Sequence, residues 1–196
     1  MGEERNPWLA ARRSDGDSYD EAYERRAAAG EDVHGEANFL IRYGPRSVLD
    51  AGCGTGRIAR ELARRGIDVV GVDLDPAMLE TGRRKAPHLH WRIADLETVA
   101  LGRTFDAVLM AGNVMIFLTP GTEGHVLANL AGHLAPGGLL IAGFQLRQGG
   151  LTPERYDALA EQAGLRLSER YATWDAEPWV AGGSYAVSVH RRVERD

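Results

Sequence analysis

The chain contains a single cysteine, Cys53, in 196 residues, so no internal disulfide can form and the fold must be held by packing and hydrogen bonding. Such scarcity of thiols suits a reducing compartment. A long apolar run is also missing. The longest, over 107–118, is interrupted by Gly112 and Asn113 and falls well short of the ~20 residues of a membrane-spanning helix. The opening residues, Met1 to Trp8, hold charges and no apolar stretch of the kind a secretion leader carries, so the expectation is a cytoplasmic protein with no membrane partner. Positive charge is not in excess: the formal net charge is −5, which argues against nucleic acid as a partner. Lysine is nearly absent, Lys85 standing alone among the arginines. Six histidines and one cysteine form no compact ligand set, so no metal is expected.

What is present is ordinary for one globular domain: 44% hydrophobic and 26% charged residues, in a chain long enough for one sizeable core. Residues 1–17 are charged and unpatterned and read as a mobile tail with Trp8 as its one anchor. Ser18-Tyr-Asp-Glu21 has the spacing of a capping box, opening a helix that Gly30 can close. A second helix is expected over 33–43, stopping at Gly44-Pro45. Together, residues 18–43 read as a helical cap on an α/β core spanning 44–196.

Within that core, strand and helix signals alternate. Strands are expected at 48–49, 68–73, 89–93, 105–110 and 139–144. A helix is expected over 122–134, followed by a turn at Ala135-Pro-Gly-Gly138. Two β-like runs, 165–172 and 184–191, close the chain without a helix between them. This order implies a doubly wound, mostly parallel, seven-stranded Rossmann-like sheet with an antiparallel last strand.

The most informative stretch is Val48-Leu-Asp-Ala-Gly-Cys-Gly-Thr-Gly-Arg57, followed by Val69-Val-Gly-Val-Asp-Leu-Asp75. Gly52, Gly54 and Gly56 allow a sharp strand-to-helix turn and close backbone approach to a ligand. Asp73, at the end of the second strand, is placed to accept both hydroxyls of a ribose. The dinucleotide fingerprint G-x-G-x-x-G requires glycine where Arg57 stands. A pyrophosphate would also disfavour Asp50, which instead suits a ligand carrying an ammonium group. S-adenosylmethionine (SAM) has that group and no phosphate.

Over roughly residues 44–192 the sequence resembles the class I SAM-dependent methyltransferases, most specifically in this glycine loop. The resemblance implies that the loop wraps the methionine part of SAM, that Asp73 holds the ribose, and that Asp95, after the third strand, meets the adenine amino group. The expected cofactor-binding set is Asp50, Gly52, Cys53, Gly54, Gly56, Asp73, Leu74, Asp95, Leu96, Ala111 and Asn113, with Leu74 and Leu96 flanking the base. The function implied is methyl transfer to a small-molecule acceptor by in-line displacement, releasing S-adenosylhomocysteine (SAH). Two alternatives stand beside it: a nicotinamide-dependent oxidoreductase on a similar fold, and a SAM-binding module without chemistry. Oligomeric state has no signature in the sequence.

Methyl transfer from a sulfonium asks for alignment and, with some acceptors, a base. His34, beside Glu36 in the cap, is the candidate base; the other reading of a histidine at a helix start is a cap or surface group. Cys53, between two glycines, reads as a backbone contributor more readily than as a nucleophile. Asn113 follows the fourth strand, where it either borders the acceptor or makes a turn. The family's adenine-modifying branches carry an Asn/Asp-Pro-Pro-aromatic motif at this place. Here the residues are Gly112-Asn-Val-Met115, which argues against DNA adenine as acceptor.

Overall fold

The computed structural model describes residues 6–10 and 16–193. Its seven strands are β1 (Ser47–Ala51), β2 (Asp68–Asp73), β3 (His90–Ile93), β4 (Phe105–Met110), β5 (Leu134–Gln145), β6 (Leu165–Tyr171) and β7 (Tyr185–Arg192). They form one sheet in the order β3-β2-β1-β4-β5-β7-β6. The pairs among β1 to β5 are parallel, with Val48 opposite Val69 and Ala107. β7 runs antiparallel to both β5 and β6. The expected seven-stranded, mostly parallel architecture is the one observed. The last strand is antiparallel but lies inside the sheet, with β6 outside it.

Alternation along the strands explains the two layers. Leu49, Val72, Val108 and Leu140 face one side, packing with Leu127 and Leu130 of helix α7 (Glu123–Gly132) and Tyr156 of α8 (Pro153–Gln162). Val48, Val69, Leu109 and Ile141 face the other, against Phe39 and Leu40 of α3 (Gly35–Ile41) and Ile58 and Leu62 of α4 (Arg57–Arg64). Such period-two faces on a sheet buried on both sides are what parallel β-structure demands.

Helix α5 (Pro76–Lys85) starts where local chemistry dictates: Asp75 Oδ1 accepts from Ala77 N–H at 2.9 Å, and Pro76 occupies the first position.

Beyond shifts of one or two residues at element ends, three differences from expectation have a physical cause. The segment 135–138 is not a turn ahead of β5 but a bulge within it. Leu134 already pairs with Phe105 and Leu139 with Ala107, and a Cβ at Gly138 would lie 2.9 Å from the Ala135 carbonyl oxygen. Helix α2 (Gly16–Ala28) begins before Ser18, because Gly16 is packed against Thr81 and Asp17 pairs with Arg84. Tertiary docking has overridden the capping box. Finally, part of the expected tail is helical: α1 spans Pro7–Ala10, and residues 16–17 belong to α2. The rest of that tail, 1–5 and 11–15, lies outside the described residues. No described helix is long and apolar enough to cross a membrane.

Candidate cofactor and acceptor site

The site lies at the carboxyl ends of β1, β2 and β4, around the loop that joins β1 to α4. This loop is fixed by backbone bonds. Gly52 N–H and Cys53 N–H both donate to the Val72 carbonyl, at 2.8 and 3.0 Å. Gly52 has φ +79°, and a Cβ there would lie 2.5 Å from Val114 Cγ2; glycine is required on both counts. Gly54 N–H donates to Asp73 Oδ2 at 2.7 Å, and Asp75 N–H donates to Asp73 Oδ1 at 2.9 Å. Two amides thus hold the Asp73 carboxylate at a set angle. Burial raises its pKa, with the hydrogen bonds from Asp75 and Gly54 opposing. Asp95 is oriented in a similar way, its Oδ1 accepting from Glu97 N–H at 2.8 Å.

Asp50 is different. It is 2% exposed, and its Oδ2 is buried without a hydrogen-bond partner. Burial pushes its carboxyl up to about 7, despite the opposing influence of the nearby Arg57 guanidinium. Leaving a polar oxygen this way is costly, and it marks a place for a donor that the chain itself does not supply. Arg57 does not supply that donor: the hydrogen bonds its guanidinium makes go elsewhere. It makes two hydrogen bonds to Glu36, at 2.7 and 3.1 Å, and another to the Val33 carbonyl. Its guanidinium also stacks 4.2 Å from the Tyr23 ring centroid. The residue that interrupts the dinucleotide fingerprint thus helps tie α4 to the N-terminal helices.

These groups border one open cleft at the carboxyl ends of the strands, the place where a doubly wound sheet takes its ligands. Asp50, Gly52, Cys53, Gly54, Asp73, Leu74, Asp95, Leu96 and Ala111 all line it. Gly56, Asn113 and His34 do not. Gly56 has φ +74° and caps α4, and a Cβ there would lie 2.1 Å from a ring carbon of Trp91; its need for glycine comes from packing. Asn113, also left-handed at φ +68°, accepts a hydrogen bond from Gln145 N–H through Oδ1 at 2.8 Å, tying the β4 exit to β5. His34 borders a separate depression among α2, α3 and α4, with Asp20, Tyr23 and Glu61. Cys53 lines the cleft as a protonated thiol, since burial raises its pKa well above the usual value. Among the described residues no group of His, Cys, Asp and Glu is arranged to hold a metal ion.

Several lining residues lie outside the expected cofactor-binding set. Tyr19 enters from α2, Thr55 and Arg57 from the loop and α4, Phe117 from α6 (Val114–Phe117), and Asn6 and Trp8 from the N-terminal segment. The pair Asn6-Pro7 was a legible signal: Asn6 Oδ1 accepts from Trp8 N–H at 2.9 Å, the same capping chemistry as Asp75-Pro76. Chemically, the cleft offers carboxylates at separated points and backbone at its centre. That suits a hydroxylated, cationic ligand and disfavours a pyrophosphate.

Comparison with known proteins agrees. A methyltransferase-domain family matches residues 48–138. A TehB-like SAM-dependent methyltransferase structure from Corynebacterium glutamicum is 35% identical, with TM-score 0.83, covering 90% of this chain and 97% of that one. A SAM-bound amino pentose methyltransferase from Micromonospora echinaspora is 26% identical with TM-score 0.70, covering 90% of this chain and 97% of that one. Magnesium-protoporphyrin O-methyltransferase of Rhodobacter capsulatus is 38% identical over 88 residues, which is 42% of this chain and 38% of that protein. The chain spans between about a third and a half of the length of the curated relatives it matches. With the fold, the glycine loop and the 35% identical structure together, the chain belongs to the class I SAM-dependent methyltransferases. The nicotinamide alternative finds no support in these relatives.

Proposed function

We propose that the protein transfers a methyl group from SAM to a small-molecule acceptor and releases SAH. The observation that carries this reading is the orphaned, buried Oδ2 of Asp50 in the same cleft as Asp73 and Asp95. Asp50 would take the ammonium of the methionine part, a cation that compensates the cost of burying this carboxylate. Asp73, aligned by the amides of Gly54 and Asp75, would accept the ribose hydroxyls, and Asp95 the adenine amino group. Leu74 and Leu96 would flank the base.

When bound, SAM supplies a methyl group already activated by its positive sulfur. The chain's own residues then have to align and exclude water. Tyr19, Val114 and Phe117 line the cleft with largely apolar surface, so helix α2 would border the acceptor side, while α3 packs on the sheet. The protonated Cys53 thiol does not compete as a nucleophile. His34, outside the cleft, is assigned no part in the chemistry. An amino pentose and a magnesium porphyrin as acceptors of relatives support a small-molecule acceptor here.

Thermal unfolding tests the cofactor: SAM and SAH at ~100 times their dissociation constants should each add about 2.7 kcal/mol, and NADH should add nothing measurable. Methyl-labelled SAM, incubated with the protein and a small-molecule extract, should give one labelled product. An equal shift with NADH overturns the cofactor assignment. Tight SAM binding without any labelled product leaves a binding module instead.

A further inference from the structure

We propose that helix α1 is a strap that closes the nucleoside half of the cleft, with Trp8 as its clasp; this rests on the SAM reading above. The helix has four residues, none of them buried, too few to persist in water on their own. Asn6 caps it, but a cap does not fix where it lies. Trp8 does. Its Nε1–H donates to Asp75 Oδ2 at 3.0 Å, and its ring meets Phe117 edge-on, with centroids 5.4 Å apart at 69°.

The two contacts stand on opposite banks. Asp75 follows β2, Phe117 lies in α6 after β4, and β2 and β4 flank β1 in the sheet. A segment touching both must cross above the glycine loop that follows β1. Asn6 and Trp8 accordingly line the cleft together with Leu74 and Met78. A nucleoside held by Asp73 and Asp95 would lie under the indole and have to pass it to leave.

Asp75 is suited to a reversible clasp. One carboxylate oxygen is committed to capping α5, which fixes the side chain, and the other is left for Trp8 as a charged acceptor. Leu9, the next residue, is 53% exposed. Opening breaks the charge-assisted hydrogen bond to Asp75 and the ring contact with Phe117, while the core is undisturbed.

The test is the rate of SAH release, followed by stopped-flow displacement with excess SAM. Asp75→Asn keeps the capping oxygen and presents an N–H to the indole N–H. Trp8→Phe keeps an aromatic ring and removes the donor. Each should speed release about tenfold, the loss of one hydrogen bond to a charged acceptor. The double variant should be no faster than either single one, because both remove the same bond. Wild-type release rates in both single variants, or multiplied effects in the double, overturn the strap alone. If the wild-type protein binds no SAH, the methyltransferase reading falls and the strap with it.

Discussion

The glycine loop is held by backbone amides of Gly52, Cys53 and Gly54, whereas helix α2, packed against that loop, is held by side-chain charges. Asp20 is buried there, accepting hydrogen bonds from Thr55, from Arg60 at 2.8 Å and from Lys85 at 2.6 Å. Asp17 bonds Thr81 and Arg84 nearby. A wall made of backbone admits almost no substitution, because left-handed φ values and absent Cβ atoms are its building material. A wall made of ion pairs can be re-specified by exchanging side chains. This division fits the proposed function, in which the methyl donor is constant while the acceptors of relatives differ.

The contrast can be broken most sharply at Gly56. Alanine there combines left-handed backbone with a Cβ 2.1 Å from the Trp91 ring, so Gly56→Ala should cost about 3 kcal/mol or more by chemical denaturation, independent of salt. A loss below ~1 kcal/mol would show the loop to be less rigid than drawn.

Asp20→Ala should cost about 2 kcal/mol, less than a wholly buried pair because Arg60 and Lys85 remain 29% and 27% exposed. Its cost should shrink in high salt, unlike that of Gly56→Ala. Equal salt responses would erase the distinction between the two walls.

Asp50 gives a pH test. Its carboxyl is raised from 3.8 to about 7 in the folded state, so the folded protein holds a proton that the unfolded chain has released. The unliganded protein should therefore lose stability as pH rises through that window. Asp50→Asn should remove the loss, gaining about 1–2 kcal/mol at pH 8, yet weaken SAM binding about tenfold by calorimetry. Tighter or unchanged SAM binding in this variant would remove the ammonium role.

The smallest effect is expected at Cys53. Cys53→Ala should change SAM affinity and turnover by less than about twofold, or ~0.4 kcal/mol, and the wild-type thiol should alkylate slowly at neutral pH because burial keeps it protonated. Rapid alkylation accompanied by inactivation would reopen the nucleophile reading.

The parts of the molecule legible in the sequence are those written in local pattern. Short, nearly continuous apolar runs gave the core strands, and the glycine and aspartate spacing gave the loop with Asp50, Asp73 and Asp95 on one cleft. Long-range docking was not legible. Gly56 looks like a ligand-facing glycine until Trp91, brought in by β3, is seen against it. Asn113 looks like an acceptor contact until β5 supplies Gln145 as its partner. Arg57 could be read only as a broken fingerprint, since its partners Glu36 and Tyr23 lie on separate helices. The helix at Asn6-Pro7 was overlooked although its cap was local, because four residues amid charges show no apolar period.

The position of β7 between β5 and β6 governs how the chain can assemble. β6 joins the sheet only through β7, so when synthesis has reached Tyr171 this strand has nowhere to pair, and the hydrogen-bonding edge of β5 stands open. Only when residues 185–192 emerge can they slot in, Tyr185 beside Gln145 and Arg191 beside Leu139, sealing both strands in one non-local event. Pairing over such sequence distance is slow. The β5 edge is then the nascent chain's period of danger, an unpaired apolar border that invites another copy before its own last strand arrives.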